Sequence, residues 1–307
     1  MSFENCIKAE TDRVTGILEE YLPKVGGCQK TVIEAMNYSF LAGGKRLRPL
    51  IMLKTYEAFG GNDSFIEPFM VALEMIHNYS LVHDDLPEMD NDSLRRGMPT
   101  THVKFGAGMA VLAGDGLLNY AFETAFKAFD ECTCKEDYEK VSDALKVLGA
   151  KAGIYGMIGG QCLDVEAEEK SLTLSMDEIL FIDENKTAAL LQAALMIGGI
   201  MAGANEEAVK QLEEIGRKVG IAFQLQDDIL DIVSTTEVLG KPVGSDERNG
   251  KATYISINGL EKTVAEQKKL SAEAVDSLEN MKNSFMRNEK AADFLIELVR
   301  SLVSRKM

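Results

Sequence analysis

Two acidic runs carry the clearest chemistry in this sequence. The first reads His83-Asp84-Asp85-Leu86-Pro87-Glu88-Met89-Asp90-Asn91-Asp92, and the second reads Gln224-Leu225-Gln226-Asp227-Asp228-Ile229-Leu230-Asp231. In the second, Gln224, Asp227/Asp228 and Asp231 recur at helical spacing and share one face. Carboxylates stacked among Ile221, Ala222, Phe223, Ile229, Leu230 and Ile232 repel one another and are poorly solvated. Divalent cations relieve both penalties, and Mg²⁺ favours one or two carboxylates combined with phosphate oxygens of a substrate. Either run alone also reads as a solvated helix end; two in one chain weaken that reading.

Cations flank both runs. Lys45, Arg46 and Arg48 follow Gly43-Gly44, and Arg95-Arg96-Gly97 follows the first acids. A glycine turn lets backbone approach a ligand, and Arg and Lys donate well to diphosphate oxygens. A Lys-Arg-x-Arg run is also common surface charge, and Arg95 and Arg96 are placed to pair with Asp90. Lys186-Thr187 heads an apolar helix, while Lys241 and Lys251 flank a Gly- and Pro-bearing loop. His77 precedes Asp84 by two helical turns. With Glu74 it forms a Glu-x-x-His pair of the kind used in di-iron bundles. That reading requires a second pair, but the other histidines, His83 and His102, are preceded three positions earlier by Ser80 and Pro99.

The elements that must position these groups are helices. The six prolines (Pro23, Pro49, Pro68, Pro87, Pro99, Pro242) fit helix ends or first turns, and none occurs between 100 and 241. That interval is rich in good helix formers, and period-two alternation is scarce throughout. The pattern predicts an all-α chain, residues 1–307 as a single domain, with helices near 4–21, 30–42, 47–59, 66–84, 107–129, 136–150, 154–169, 176–201, 205–233, 260–281 and 289–304. The stretches 87–108 and 234–251 read as irregular.

Composition sets the outer limits. A formal charge of −16 over 307 residues argues against general nucleic-acid or anionic-membrane binding. It leaves room for anionic substrates wherever local cations or metal reverse the field. Five scattered cysteines suggest reduced thiols and a cytoplasmic location. The start of the chain lacks the basic and apolar pattern of a signal peptide. The most apolar stretch, 188–204, is broken by Gln192 and three glycines. It reads as a core helix, with no membrane span.

Taken in order, Gly43-Gly44-Lys45-Arg46-x-Arg48, Asp84-Asp85-x-x-x-x-Asp90 with Leu94-Arg95-Arg96-Gly97, and Gln224-x-x-Asp227-Asp228-x-x-Asp231 resemble the trans-prenyl diphosphate synthases. The resemblance is strongest to the bacterial-type farnesyl diphosphate synthases. It implies a terpenoid synthase-like helical bundle around a central cavity, usually a homodimer. Asp84, Asp90 and Asp227 would bind Mg²⁺, three ions with bound diphosphate and with Mn²⁺ as an alternative; Asp85, Asp228 and Asp231 would support them. Arg95, Lys186 and Lys241 would hold an allylic diphosphate, and Lys45, Arg48, His77 and Arg96 the diphosphate of isopentenyl diphosphate. Thr187 and Gln224 would face the reacting carbons, with Gln161 and Asp164 in support. Tyr79, just over one turn before Asp84, would floor the cavity and stop growth at fifteen carbons. Segments 87–105 and 234–251 would close over the substrates. A geranyl or geranylgeranyl product, a non-catalytic partner subunit, and a terpene cyclase are the competing readings. Asn91 and Ser93 depart from the aspartates common at those positions.

Overall fold

Local capping starts several helices as the sequence suggests. Ser2 accepts from the Asn5 amide at 3.4 Å to open α1 (Phe3–Glu20). It is followed by α2 (Lys30–Leu41), α3 (Leu47–Ala58) and α4 (Glu67–Asp84), the last with Pro68 in its first turn. A two-residue hairpin, β1 (Leu94–Arg95) and β2 (Met98–Pro99), comes next. Then come α5 (Thr101–Phe105), α6 (Ala107–Phe126), α7 (Lys135–Ala152), α8 (Met157–Glu169) and α9 (Met176–Ile182). A π-helical turn, Asp183–Ala188, joins α9 to α10 (Ala189–Met201). Among the described residues there follow α11 (Glu206–Val233), α12 (Tyr254–Asn258), α13 (Leu260–Ser284) and α14 (Glu289–Val303). This computed structural model describes residues 2–170, 172–233 and 253–303. Among them the hairpin is the only strand pairing, so the all-α expectation holds.

The chain divides into two compact units, Met1–Leu53 with Asn62–Leu145, and Lys54–Gly61 with Lys146–Met307. In the first, α4 is buried continuously from Pro68 to Ile76 and again at Asn78, Tyr79 and Val82. A helix apolar on every side belongs inside a core. Its main neighbour is α6, and Gly114 on α6 makes room for the His83 ring. A Cβ at 114 would lie 2.1 Å from His83 Nε2.

In the second unit α11 is the centre, packing on α10, α13 and the π-helical turn. Ile221, Ala222 and Leu225 of α11 form a cluster with Leu270 and Val303. Every residue of α10 from Ala189 to Gly199 is buried, as the core-helix reading of 188–204 requires. Two glycines let α11 approach closely: a Cβ at Gly216 would sit 2.6 Å from Gln192 Cα, and one at Gly220 2.2 Å from Ala188 Cβ. Among the described residues no helix is long and apolar enough to cross a membrane.

Three elements differ from the sequence reading. The stretch 87–108 contains the hairpin and α5, so it is folded where an irregular loop was expected. The helix expected at 176–201 is interrupted by the π-helical turn, and α12 was not anticipated.

Candidate active site

The first acidic run is held together by backbone. After α4 the chain winds through one tight turn, with Met89 N to Leu86 O at 2.9 Å and Asn91 N to Leu86 O at 3.0 Å. It then returns so that Asp90 N donates to Asp84 O at 2.8 Å. Six positions apart in sequence, Asp84 and Asp90 thus become backbone neighbours. Asn91 takes φ 52°, a left-handed conformation that Asn tolerates better than most residues. Asp85 lies buried behind this turn and pairs with Arg95, whose Nε and Nη2 both approach Asp85 Oδ1 at 2.6 Å. Burial works against the charge of Arg95, yet the hydrogen bond and charge of Asp85 outweigh it and raise its pKa.

The hairpin explains why two adjacent arginines diverge. Arg95 lies in β1, while Arg96 (φ 54°) and Gly97 (φ 77°) form its two-residue turn. Arg95 reaches Asp85, whereas Arg96 Nη1 donates to Gly43 O. Gly44, at φ 135°, lies beneath the same guanidinium, and a Cβ there would meet Arg96 Nη1 at 2.8 Å. The Gly43-Gly44 pair therefore admits a side chain of this protein. Tyr38 Oη, donating to Pro99 O at 2.7 Å, ties the hairpin to α2.

The cations on this unit are not equivalent. Lys45 is exposed. Arg46 is 4% exposed and bonded to Glu74 Oε1 at 2.7 Å and to Phe40 O at 2.6 Å. Arg48 has a buried Nε with no hydrogen-bond partner. Burial, followed by the charges of Arg48, Arg96, Arg46 and Arg95, holds the His77 imidazole well below its ordinary pKa. It is neutral at neutral pH. Tyr79 is 6% exposed, its hydroxyl is buried without a partner, and burial followed by Asp84 pushes it up to about 12.

On the second unit the π-helical turn carries Lys186 and Thr187. Glycine again sets the approach: a Cβ at Gly160 on α8 would lie 2.3 Å from Lys186 N. One helical turn later Asp164 pairs with Lys186; Gln161 follows Gly160 on α8. Thr187 Oγ1 donates to Gln224 Oε1 at 3.2 Å, and Gln224 Nε2 donates to Asp228 Oδ1 at 3.1 Å. Asp228 and Asp231 are buried at 4% and 2% exposure, and Asp227, just before them, is half-buried. Lys241, the segment 234–251 and the C-terminal Arg305 and Lys306 lie outside the described residues.

The donors of both acidic runs are carboxylate oxygens, hard ligands that suit Mg²⁺ better than a thiolate-preferring metal. The residue that sequence reasoning set aside is Glu74. Its signal was the Glu-x-x-His pair, and its carboxylate forms a buried ion pair with Arg46.

The family model described as Polyprenyl synthetase matches residues 29–289. The chain is 43% identical over 265 residues to the farnesyl diphosphate synthase of Geobacillus stearothermophilus, covering 85% of this chain and 86% of that one. It is 39% identical over 283 residues to the geranylgeranyl diphosphate synthase of Cyanophora paradoxa, covering 92% of each. Among solved structures it resembles a geranyltransferase from Helicobacter pylori complexed with magnesium and isoprenyl diphosphate. That match has a TM-score of 0.81 and 31% identity over 99% of this chain and 97% of that one. The terpenoid synthase-like helical fold and the ordered motifs agree with these matches, and the chain belongs to the polyprenyl synthetase family.

Proposed function

We propose that this protein is a prenyltransferase that condenses dimethylallyl or geranyl diphosphate with isopentenyl diphosphate, releasing farnesyl diphosphate. The observation that carries the reading is that both acidic runs and their flanking cations stand intact in a chain 43% identical to a farnesyl diphosphate synthase. In this proposal the two units form one domain, and both acidic runs act on one allylic diphosphate.

Asp84, Asp90 and Asp227 would hold Mg²⁺, with Asp85, Asp228 and Asp231 orienting them. When bound, the ions supply positive charge that favours departure of the diphosphate. Arg95, Lys186 and Lys241 grip that leaving group. Lys45, Arg48, Arg96 and the neutral N–H of His77 grip the diphosphate of isopentenyl diphosphate; the unpaired Nε of Arg48 supports this assignment. Asp228 can only accept when ionised, so it fixes the Gln224 amide with Oε1 toward Thr187. Thr187 gives its proton to that oxygen and keeps lone pairs free to face a developing allylic cation. The double bond of isopentenyl diphosphate attacks that cation, and the released diphosphate takes the proton lost in forming the new double bond. Segment 87–105 would exclude water, which would quench the cation; the other segment expected to close, 234–251, lies outside the described residues.

The H. pylori relative's magnesium and isoprenyl diphosphate complex supports the metal assignment. Homodimer formation and a cytoplasmic location belong to the same proposal. Val111, Leu112 and Phe126, exposed along α6, support the dimer, and five unpaired cysteines suit a reducing compartment. Incubation with dimethylallyl and geranyl diphosphates, isopentenyl diphosphate and Mg²⁺, followed by sizing of the products, tests the reading. A fifteen-carbon product is expected. A twenty-carbon product favours the second reading, geranylgeranyl synthesis, which the C. paradoxa relative supports. Absence of any condensation product overturns both.

A further inference from the structure

Arg46 sits between two cations assigned to substrate, yet it is turned into the protein. Its guanidinium is 2.7 Å from Glu74 Oε1, donates to Phe40 O at 2.6 Å and lies 5.1 Å from the centre of the Phe40 ring. Both side chains of the pair are 3% exposed. The backbone pays for this placement, with φ 46° at Arg46, a strained conformation for a long side chain. Arg46 O nevertheless accepts from Leu50 N at 3.1 Å, so the strained residue also starts α3. Strain of this kind persists only where the surroundings over-determine it.

Glu74 also has a wider electrostatic reach. Burial lowers the pKa of Arg48, and Glu74 opposes it while Arg96 adds to it. Arg96 shows the same pattern, lowered by burial and raised by Glu74 against the repulsion of Arg46 and Arg95. Glu74 therefore acts on Arg46, Arg48 and Arg96 together, and His77 lies one turn further along α4. A cluster of cations without a countercharge would spread toward water. A carboxylate bonded beneath it to Arg46 anchors the turn and stays out of the way of incoming phosphate oxygens.

We infer that Glu74 is a positioning residue for isopentenyl diphosphate, acting through Arg46 to fix the Gly43–Arg48 turn and its cations before substrate arrives. The inference rests on the assignment of Lys45, Arg48, His77 and Arg96 to that diphosphate. It separates from a role in folding alone, because a purely structural ion pair can be replaced by apolar side chains of similar volume without loss.

The test compares Glu74→Gln, Arg46→Lys, Lys45→Ala and the double variant Arg46→Met/Glu74→Leu by steady-state kinetics in both substrates and by thermal melting. The double variant is expected to melt near the wild type. Its KM for isopentenyl diphosphate should rise about tenfold, while kcat and the KM for geranyl diphosphate stay within about threefold. Arg46→Lys should restore part of that affinity. If the double variant folds poorly, Glu74→Gln, which keeps the shape, decides by the same readout. A wild-type KM for isopentenyl diphosphate in whichever of these folds overturns the inference. Lys45→Ala separates the two levels. If it raises that KM while the Glu74 variants do not, only the positioning role falls; if it does not, the assignment of the diphosphate site falls and takes the positioning role with it.

Discussion

The two acidic segments share a residue type and use different physics to hold it. On the second unit, helix periodicity alone lines up Gln224, Asp227/Asp228 and Asp231, and the side chains lock one another through the Thr187–Gln224–Asp228 chain. On the first, periodicity ends at Asp84, and a backbone turn brings Asp90 back beside it. The helical segment buries Asp228 and Asp231; the turn segment leaves Asp90 exposed and buries only Asp85, bonded to Arg95. A stripe on a helix is rigid without help. A turn needs a left-handed residue, a hairpin and an ion pair to reach comparable definition.

If both segments serve one diphosphate, breaking either should cost about the same. Asp84→Asn and Asp227→Asn are each expected to lower kcat by about a thousandfold, roughly 4 kcal/mol of transition-state stabilisation. A variant of either residue with near-normal turnover would show that the segments are not partners. The ion pair beneath the first segment's cations should matter next. Glu74→Ala strands Arg46 in the interior and is expected to cost about 3–5 kcal/mol in denaturant melts.

Crowding sharpens the contrast on the helical side. Gly220→Ala drives a methyl group against Ala188 and the π-helical turn, and is expected to cost about 1–3 kcal/mol. At Asn91 on the turn side, a residue with φ 52°, Ala should cost about 1 kcal/mol and Gly almost nothing. Equal melting of the two Asn91 variants would remove the turn's conformational demand from the account.

The first segment's helix also bears on product length. Tyr79→Ala is expected to lengthen the product from fifteen carbons toward twenty, read by chromatography, and an unchanged product would refute the stop. The smallest effect is a pH slope. His77 has a pKa lowered in the fold, mainly by burial and then by Arg48, Arg96, Arg46 and Arg95. As pH falls below about 6.5 the unfolded chain takes up a proton that the folded one resists, so stability present above that pH is lost on acidification. Between about pH 7 and pH 5 the wild type should lose more in Tm than His77→Gln; parallel losses would contradict a neutral, buried imidazole.

Much of this was legible in the sequence because long helices advertise themselves. The apolar runs of α4 and α10, the carboxylate stripe of α11 and the motif order needed only periodicity and composition. The hairpin was invisible because its strands have two residues each and its turn is Arg-Gly, outside the usual Asn-Gly signal. The π-helical turn left no mark, since one extra residue in a turn changes no residue type. Arg46 misled for a different reason: a Lys-Arg-x-Arg run looks like surface charge, and only the fold shows one member buried against Glu74.

The central claim is that two acidic segments capture divalent ions together with a diphosphate. Calorimetric titration of inorganic pyrophosphate into the wild type, Asp84→Asn and Asp227→Asn, each with Mg²⁺ and with chelator, tests it most directly. The account predicts tight binding only for the wild type with Mg²⁺, and weakening of at least about tenfold in either variant. Undiminished binding in chelator, or in one of the two variants, would contradict it.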